Sequence, residues 1–269
     1  MNYVVLICAR NEEKYIGSCL ASVYFQSIPP KLVVVVDDGS SDDTAKRANQ
    51  FERHLTIRVI RKPDRGFTAI NTPLMADTYN VGLERFDEVE YDFLLILGAD
   101  TAIPPEYVKT LYRKILPSQG VVSGRYPGVR KGYAAATGRF IRRRILDHLG
   151  GRFPKNNSWE SAANHCSRFM GYENRSFDVP IYNLRPPGKR KRSYTGPGRA
   201  VKEMGYYWPN VLYKGFIMTK KKGIIAALQM FYGYFTHKPQ DHLPDWAQWI
   251  NKLQKEGFRK KVKGWMKCS

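Results

Sequence analysis

Short runs of apolar, mostly β-branched residues alternate with helical patterns through the first hundred positions. The runs at residues 3–9, 32–37, 56–61 and 93–97 are continuous rather than alternating, which is typical of strands buried on both faces. Repetition of strand, helix and strand predicts parallel pairing through right-handed crossovers. We therefore expect an α/β fold with a mostly parallel, doubly wound sheet and helices on both of its faces.

The segments between these runs have helical periodicity. Ile16, Leu20 and Val23 form one apolar stripe, which predicts a helix with Asn11 as its N-cap. A second helix is expected after Ser40. Further helices are expected near residues 68–86, 104–115, 137–149 and 159–171, with a short strand at 120–124.

The pattern changes beyond residue 185. Proline and glycine residues flank a four-residue basic run at 189–192, and such breakers predict a loop. We expect an α/β domain over residues 1–185, a mobile basic loop over 186–205, and a helical, basic and aromatic extension over 206–269.

The charge is concentrated in the same part of the chain. The net charge is +20, and residues 189–269 hold 18 Lys and Arg against 4 Asp and Glu. This excess indicates an anionic partner, for which phosphates of a substrate, an anionic lipid surface and nucleic acid are the alternatives.

The four cysteines form no CxxC pair, which argues against a cysteine zinc site and favours a reducing, cytoplasmic location. The longest helical apolar segment, residues 223–235, is too short to span a membrane. Aromatic residues of the extension stand beside lysine clusters, a pattern typical of in-plane binding at an anionic membrane surface. The same aromatic residues also fit packing against the α/β domain. We expect a cytoplasmic protein that is peripheral on the inner face of the cell membrane.

Polar residues stand at the carboxyl ends of three expected strands. They are Asn11 and Glu12 after the first, Asp37, Asp38, Gly39 and Ser40 at the second, and Asp100 after the fourth. Ligands bind beyond these ends in open parallel sheets, and carboxylates can bond a base or ribose or hold a divalent cation on phosphates. A nucleotide and cation site is therefore predicted, although each cluster alone also fits a turn or helix cap.

These segments resemble the donor-binding half of inverting glycosyltransferases of family 2, which have the GT-A fold. The resemblance rests on residues 4–13, 33–41, 79–82 and 95–101, and it extends through 137–140 and 149–151 to 170–172. It implies nucleotide-sugar binding over residues 1–100 and an acceptor side over 101–185.

The resemblance also implies roles for residues at matching positions. Asp38 is expected to bond the nucleobase, with Asn11 and Glu12 in the same pocket. Asp100 matches the last carboxylate of the family's Asp-x-Asp motif and is expected to hold the Mg²⁺ or Mn²⁺ that bridges the donor diphosphate. Gly98 replaces the first aspartate of that motif, which leaves the metal ligand in place but removes an expected contact to the ribose or to the groups around the metal.

An inverting transfer needs a carboxylate that accepts the proton of the acceptor hydroxyl. In the family this group lies a short way before a Gly-aromatic pair, and counting back from Gly171 leads to Glu160. Glu160 also fits a simple helix-start acid, and Asp147 and Glu173 are alternatives. A phosphate acceptor, being already ionised, would need little general base.

The basic run 189–192 and Arg199 are expected to close on the donor diphosphate or on a phosphate-bearing acceptor, because arginine pairs with phosphate bidentately. Arg192 and Arg199 are therefore predicted donor-binding residues. A solvated surface run and an RNA-contact patch are the alternatives.

The prediction is thus a metal-assisted, inverting glycosyltransferase with a nucleoside-diphosphate sugar donor. Its acceptor is expected to be a glycan, a lipid-linked group or a protein, and to lie at the membrane surface. A polyprenyl-phosphate glycosyltransferase is the alternative among enzymes. A basic nucleic-acid-binding protein on a non-catalytic α/β scaffold is the alternative from another class.

Overall fold

The computed structural model describes residues 2–69, 72–126, 137–186, 193–239 and 243–267, with side chains up to residue 259. The strands in these ranges are β1 (Tyr3–Ala9), β2 (Leu32–Asp37), β3 (Ile57–Arg61), β4 (Phe93–Gly98), β5 (Thr101–Ala102), β6 (Gln119–Arg125), β7 (Arg139–Arg142), β8 (Glu173–Pro180) and β9 (Tyr182–Asn183). The α-helices are α1 (Ile16–Tyr24), α2 (Thr44–Asn49), α3 (Leu74–Leu83), α4 (Tyr107–Lys114), α5 (Arg143–His148), α6 (Trp159–Phe169), α7 (Thr195–Glu203), α8 (Trp208–Lys222), α9 (Ile224–Thr236) and α10 (Asp245–Lys267).

A seven-stranded sheet in the order β3-β2-β1-β4-β7-β6-β8 forms the centre of the molecule. β1 pairs in parallel with β2 and β4, and β2 pairs in parallel with β3. Every residue of β1 and β2 is buried, as continuous apolar runs require when helices cover both faces. The predicted α/β fold with a mostly parallel sheet is confirmed.

Residues 137–149, which were expected to be one helix, are instead strand β7 followed by helix α5. β7 pairs antiparallel with both β4 and β6. Without it, the facing edges of two buried strands would lack hydrogen-bond partners. Phe140 and Ile141 are both buried, so neighbouring side chains pack on opposite faces of the sheet, as only a strand allows.

The first helix begins later than predicted. α1 starts at Ile16, with Tyr15 at the N-cap position, so the assignment of Asn11 as an N-cap is wrong. The predicted stripe of Ile16, Leu20 and Val23 is buried. This stripe packs α1 against the sheet together with the buried residues of β1 and β2.

The carboxyl-terminal helices pack onto the α/β domain. Residues 195–203 of the predicted loop 186–205 form helix α7, while residues 187–192 lie outside the described ranges. α7 and α9 touch through glycines: a Cβ atom at Gly198 would collide with the carbonyl oxygen of Met230. In α10, Trp246 is 2% exposed and its ring stacks on His165 of α6 at 6.0 Å.

None of the helices in the described ranges combines the length and the hydrophobicity that a membrane-spanning segment requires.

Candidate active site

The parallel register brings three strand ends to one edge of the sheet. Ala9 of β1 lies beside Asp37 of β2, and Cys8 of β1 lies beside Gly98 of β4. The residues that follow these positions therefore project from the same edge, where open parallel sheets bind their ligands.

Asp37 holds the turn that follows β2. Its carboxylate is fully buried, and Oδ1 accepts a 2.9 Å hydrogen bond from the Ser40 N–H as well as one from the Ser40 hydroxyl. Gly39 has a φ of 75°, and a Cβ atom there would lie 2.5 Å from the Cα of Asp64. Asp37, Gly39 and Ser40 thus shape the loop.

Asn11 ties the loop after β1 to the loop after β2. Its backbone has a φ of 54°, its N–H donates to the Ser40 Oγ at 2.9 Å, and its side-chain oxygen accepts from the Ser41 N–H at 2.9 Å. Glu12 continues the connection, since its N–H donates to the Thr44 Oγ1 at 2.8 Å. These bonds hold the two loops as one rigid wall.

Asp38 is the anionic centre of this wall. Its side chain is 4% exposed, and its Oδ1 lies 3.0 Å from the Lys62 Nζ and also pairs with the Arg65 guanidinium. The Thr78 hydroxyl donates to the same oxygen at 2.8 Å. Two cations from the segment after β3 therefore meet one buried carboxylate, with Thr78 of α3 beneath it.

Glu12 and Asp100 share a second cation, Arg185. The Arg185 Nε donates to the Asp100 Oδ2 at 3.1 Å, and its Nη2 donates to the Glu12 carboxylate. The short pairing of β5 with β9 brings this arginine to the edge, since the Leu184 N–H also donates to the Asp100 carbonyl oxygen at 2.8 Å. Burial raises the pKa of Glu12 to about 7, although the Arg185 charge opposes that rise.

Glu160 lies at the start of α6, exposed, on the wall of a cavity of about 290 Å³. The buried Arg139 of β7 fixes this first turn, because its Nη1 donates to the Glu160 carbonyl oxygen at 2.8 Å. Trp159 stacks against Tyr79 of α3 at 5.0 Å. Because α3 also carries Thr78, it joins the Glu160 cavity to Asp38.

The far wall of the cavity comes from the carboxyl-terminal helices. Gly196, Pro197 and Ala200 of α7 and Lys214 of α8 line it. Arg199 is exposed on α7. The other predicted basic residue, Arg192, lies outside the described residues.

Residues 4–178 match the family model described as Glycosyl transferase family 2. The chain belongs to this family. Among curated family 2 relatives, the glycosyltransferase GlyA of Streptococcus pneumoniae is 29% identical over 120 residues, which is 44% of this chain and 16% of GlyA. The hyaluronan synthase of Pasteurella multocida is 34% identical over 113 residues, which is 42% of this chain and 11% of the synthase. The chain thus aligns with less than a fifth of the length of either relative.

Solved structures share the fold at low sequence identity. TarS of S. aureus in complex with UDP-GlcNAc has a TM-score of 0.59 at 18% identity, covering 86% of this chain and 73% of TarS. A mannosyltransferase from Pyrobaculum calidifontis in complex with GDP-Man and Mn²⁺ has a TM-score of 0.57 at 16% identity, covering 97% of this chain and 75% of that one. The GT-A architecture expected of a family 2 member is confirmed.

Family 2 membership leads us to expect a metal ion at this edge. The protein side chains fit such an ion only if a bound substrate supplies further ligands to it. Within the described ranges, no group of three or more His, Cys, Asp or Glu residues could hold a metal. Mg²⁺ commonly uses one or two carboxylates plus substrate phosphates, and Asp100 with Glu12 supplies that number. A Cβ atom at Gly98 would lie 3.0 Å from the Thr101 Oγ1 and 3.2 Å from the Asp100 Oδ1. A second aspartate there would crowd the packed strand end.

Sequence reasoning missed four cations at the sheet edge and in the cavity. Lys62 and Arg65 lie within four residues of the end of β3, so the strand-end rule applied to β1, β2 and β4 could have found them. Arg185 and Lys214 carry no such signal, because β9 and α8 reach the site through long-range packing.

Proposed function

We propose that the chain transfers a sugar from a nucleoside-diphosphate sugar to an acceptor, with inversion at the anomeric carbon. The observation that carries the proposal is the convergence of Glu12, Asp38 and Asp100 on one sheet edge that α3 joins to the cavity beside Glu160. Carboxylates and cations on the donor side, with a separate carboxylate in a cavity, are what an in-line displacement needs.

On the donor side, Asp38 and the two cations that it holds would recognise the nucleoside. A carboxylate accepts from base N–H and ribose hydroxyl groups, and Arg65 can pair with a phosphate once it turns from Asp38. Asn11 and Glu12 form the wall of this pocket. Arg185 supplies positive charge where the diphosphate is expected.

Mg²⁺ or Mn²⁺ held by Asp100 would neutralise the charge that develops on the leaving diphosphate. The complex of the Pyrobaculum calidifontis mannosyltransferase with GDP-Man and Mn²⁺ supports this assignment by analogy of fold. Such an ion would share the Asp100 carboxylate with Arg185, whose Nε contacts Oδ2.

On the acceptor side, Glu160 would take the proton of the attacking hydroxyl. Its carboxylate is exposed on the cavity wall, and Arg139 fixes the backbone of its turn. The alternative carboxylates are less well placed: Asp147 pairs with Arg143 at 2.7 Å on α5, and Glu173 is exposed at the start of β8.

The helical hairpin formed by α8 and α9 supports an acceptor at a membrane surface. Large apolar side chains are exposed along both helices, namely Trp208, Leu212, Tyr213, Phe216, Ile224, Ile225, Leu228, Tyr232 and Phe235. Lys220, Lys221 and Lys222 stand at the turn between them. Exposed aromatic and aliphatic side chains beside lysines suit the interface of an anionic bilayer. The acceptor would then be lipid-linked, and the protein peripheral on the inner face of the cell membrane.

Transfer from a panel of radiolabelled UDP- and GDP-sugars to membrane lipid extracts, with Mn²⁺ or EDTA, tests the proposal. Glu160→Gln should lower kcat by about 10²- to 10⁴-fold, the usual contribution of a general base, while Glu173→Gln should have no effect. Asp100→Asn should weaken the response to Mn²⁺. Full transfer by both Asp100→Asn and Asp38→Asn would refute the donor site.

Two rival functions give different results in the same experiments. A polyprenyl-phosphate glycosyltransferase would keep most of its activity in Glu160→Gln, because a phosphate acceptor is already ionised. A nucleic-acid-binding protein would show no transfer, and its salt-dependent RNA binding would be unchanged by Asp38→Asn.

A further inference from the structure

Lys214 projects into the cavity from a helix outside the family-matched region. It lies on α8, partly buried, and lines the same cavity as Glu160. Its Nζ lies 4.8 Å from the centre of the Tyr206 ring. The cavity therefore contains one cation on α8 and one carboxylate on α6.

The surroundings of Lys214 differ from those of the cations at the donor edge. Lys62 and Arg65 form ion pairs with Asp38, and Arg185 forms ion pairs with Asp100 and Glu12. In the described part of the chain, Lys214 forms no ion pair with any carboxylate, and burial alone lowers its pKa.

A partly desolvated ammonium that forms no ion pair is costly to keep charged. The Tyr206 ring offsets a part of that cost. An anionic ligand in the cavity would offset much more, because a charge-assisted hydrogen bond is among the stronger polar contacts in a protein. The cavity is therefore better suited to binding an anion than to holding water alone.

We propose that Lys214 binds a phosphate group of the acceptor, so that the cavity selects phosphate-bearing acceptors and presents their hydroxyl to Glu160. This inference rests on the proposed function. α8 also carries Leu212 and Tyr213, which are 45% and 68% exposed, beside Lys214. A phosphate in the cavity can therefore belong to a free phosphate ester or to a lipid whose chain leaves along α8.

Binding of glycerol 3-phosphate, with glycerol as the uncharged control, tests the proposal by calorimetry on the full chain. Lys214→Met should weaken glycerol 3-phosphate binding roughly 10- to 100-fold, the usual loss for a hydrogen bond to a charged group. Lys46→Met, on the exposed side of α2, should not weaken it. Lys214→Arg should restore most of the affinity.

Thermal stability separates binding from folding. Lys214→Met should melt at the same temperature as the unchanged chain or higher, since methionine keeps the length and removes a desolvated charge. Equal glycerol 3-phosphate affinity in Lys214→Met, or no glycerol 3-phosphate binding by the unchanged chain, would overturn the proposal.

Two further arms identify the source of the phosphate and isolate the donor site. Phosphatidic acid nanodiscs that compete with glycerol 3-phosphate would assign a lipid headgroup, and failure to compete would assign a soluble ester. Stabilisation by UDP or GDP should be the same in Lys214→Met and the unchanged chain. An unchanged chain that binds nucleotide but not glycerol 3-phosphate therefore refutes the acceptor inference alone, whereas absence of nucleotide binding refutes the proposed function.

Discussion

Replacing two apolar residues on the outer side of α9 with glutamate should release the protein from anionic membranes. Ile225 is 70% exposed and Leu228 is 58% exposed, so neither contributes much to the folded core. Full burial of such a side chain is worth about 1.5–3 kcal/mol. Scaled by the two exposures, embedding both in lipid contributes about 2–4 kcal/mol. The Ile225→Glu/Leu228→Glu variant should therefore bind vesicles roughly 30- to 700-fold more weakly.

Flotation on vesicles of phosphatidylglycerol and phosphatidylcholine measures the effect. The unchanged chain should float with the mixed vesicles and lose binding as the anionic lipid is removed, because each lysine near the surface contributes about 1 kcal/mol. Leu116→Glu is the matched control, since Leu116 is 52% exposed outside the hairpin. Circular dichroism and melting temperature should be unchanged in both variants.

Equal flotation of the double variant and the unchanged chain would refute the assignment of the hairpin face to lipid. A second outcome is also decisive: if the unchanged chain does not float but is dimeric, and the double variant is monomeric, the face is a contact between copies of the chain. Sedimentation velocity distinguishes these results.

Three further predictions concern other parts of the structure. Asp38→Asn leaves Lys62 and Arg65 without their carboxylate, so it should lower the unfolding free energy by about 3 kcal/mol and abolish stabilisation by nucleotides in thermal shift assays. Burial lowers the pKa of His165 to about 4, below its unfolded value of about 6.5. The contribution of the neutral imidazole to the unfolding free energy is therefore fully present above pH 6.5, and about 3 kcal/mol of it is lost as the pH falls to 4. Urea unfolding of His165→Phe should lack this dependence on pH. Gly198→Ala should lower the unfolding free energy by about 1–3 kcal/mol in the same urea assay, because α7 must move away from α9. Gly257→Ala has open space around the new methyl group and should be neutral or slightly stabilising.

The sheet edge that carries Glu12, Asp38 and Asp100 could be predicted from the sequence because its strands are buried on both faces. β1 and β2 begin and end where their apolar runs do, and parallel register then places Glu12, Asp38 and Asp100 together without further information. The separate roles of the individual side chains could not be predicted in this way. Asp37 and Asp38 are adjacent aspartates, yet one closes a turn and the other receives two cations.

The structure of residues 101–185 depends on pairings between distant segments. The apolar spacing of 137–149 fits a helix as well as a strand, and the gap between β4 and β6 decides in favour of β7. β8 was missed because its sequence is polar and only some of its residues are buried. Arg185 reaches Asp100 through the pairing of β9 with β5, a contact between residues 85 positions apart.

Among the carboxyl-terminal helices, α7 and α8 form a part of the wall of the cavity beside Glu160. Trp246 and Met230 belong to the same buried cluster as Val4 and Leu94 of the central sheet, so deleting residues 206–269 would open the core and could not test membrane binding by itself. α8 carries Lys214 on its cavity side and Tyr213 on its exposed side. If the hairpin rests on lipid, the helix that meets the membrane also forms the wall of the acceptor cavity. A lipid-linked substrate would then reach Glu160 without leaving the interface, and surface substitutions in the hairpin should raise KM for a lipid acceptor while leaving that for a soluble phosphate ester unchanged.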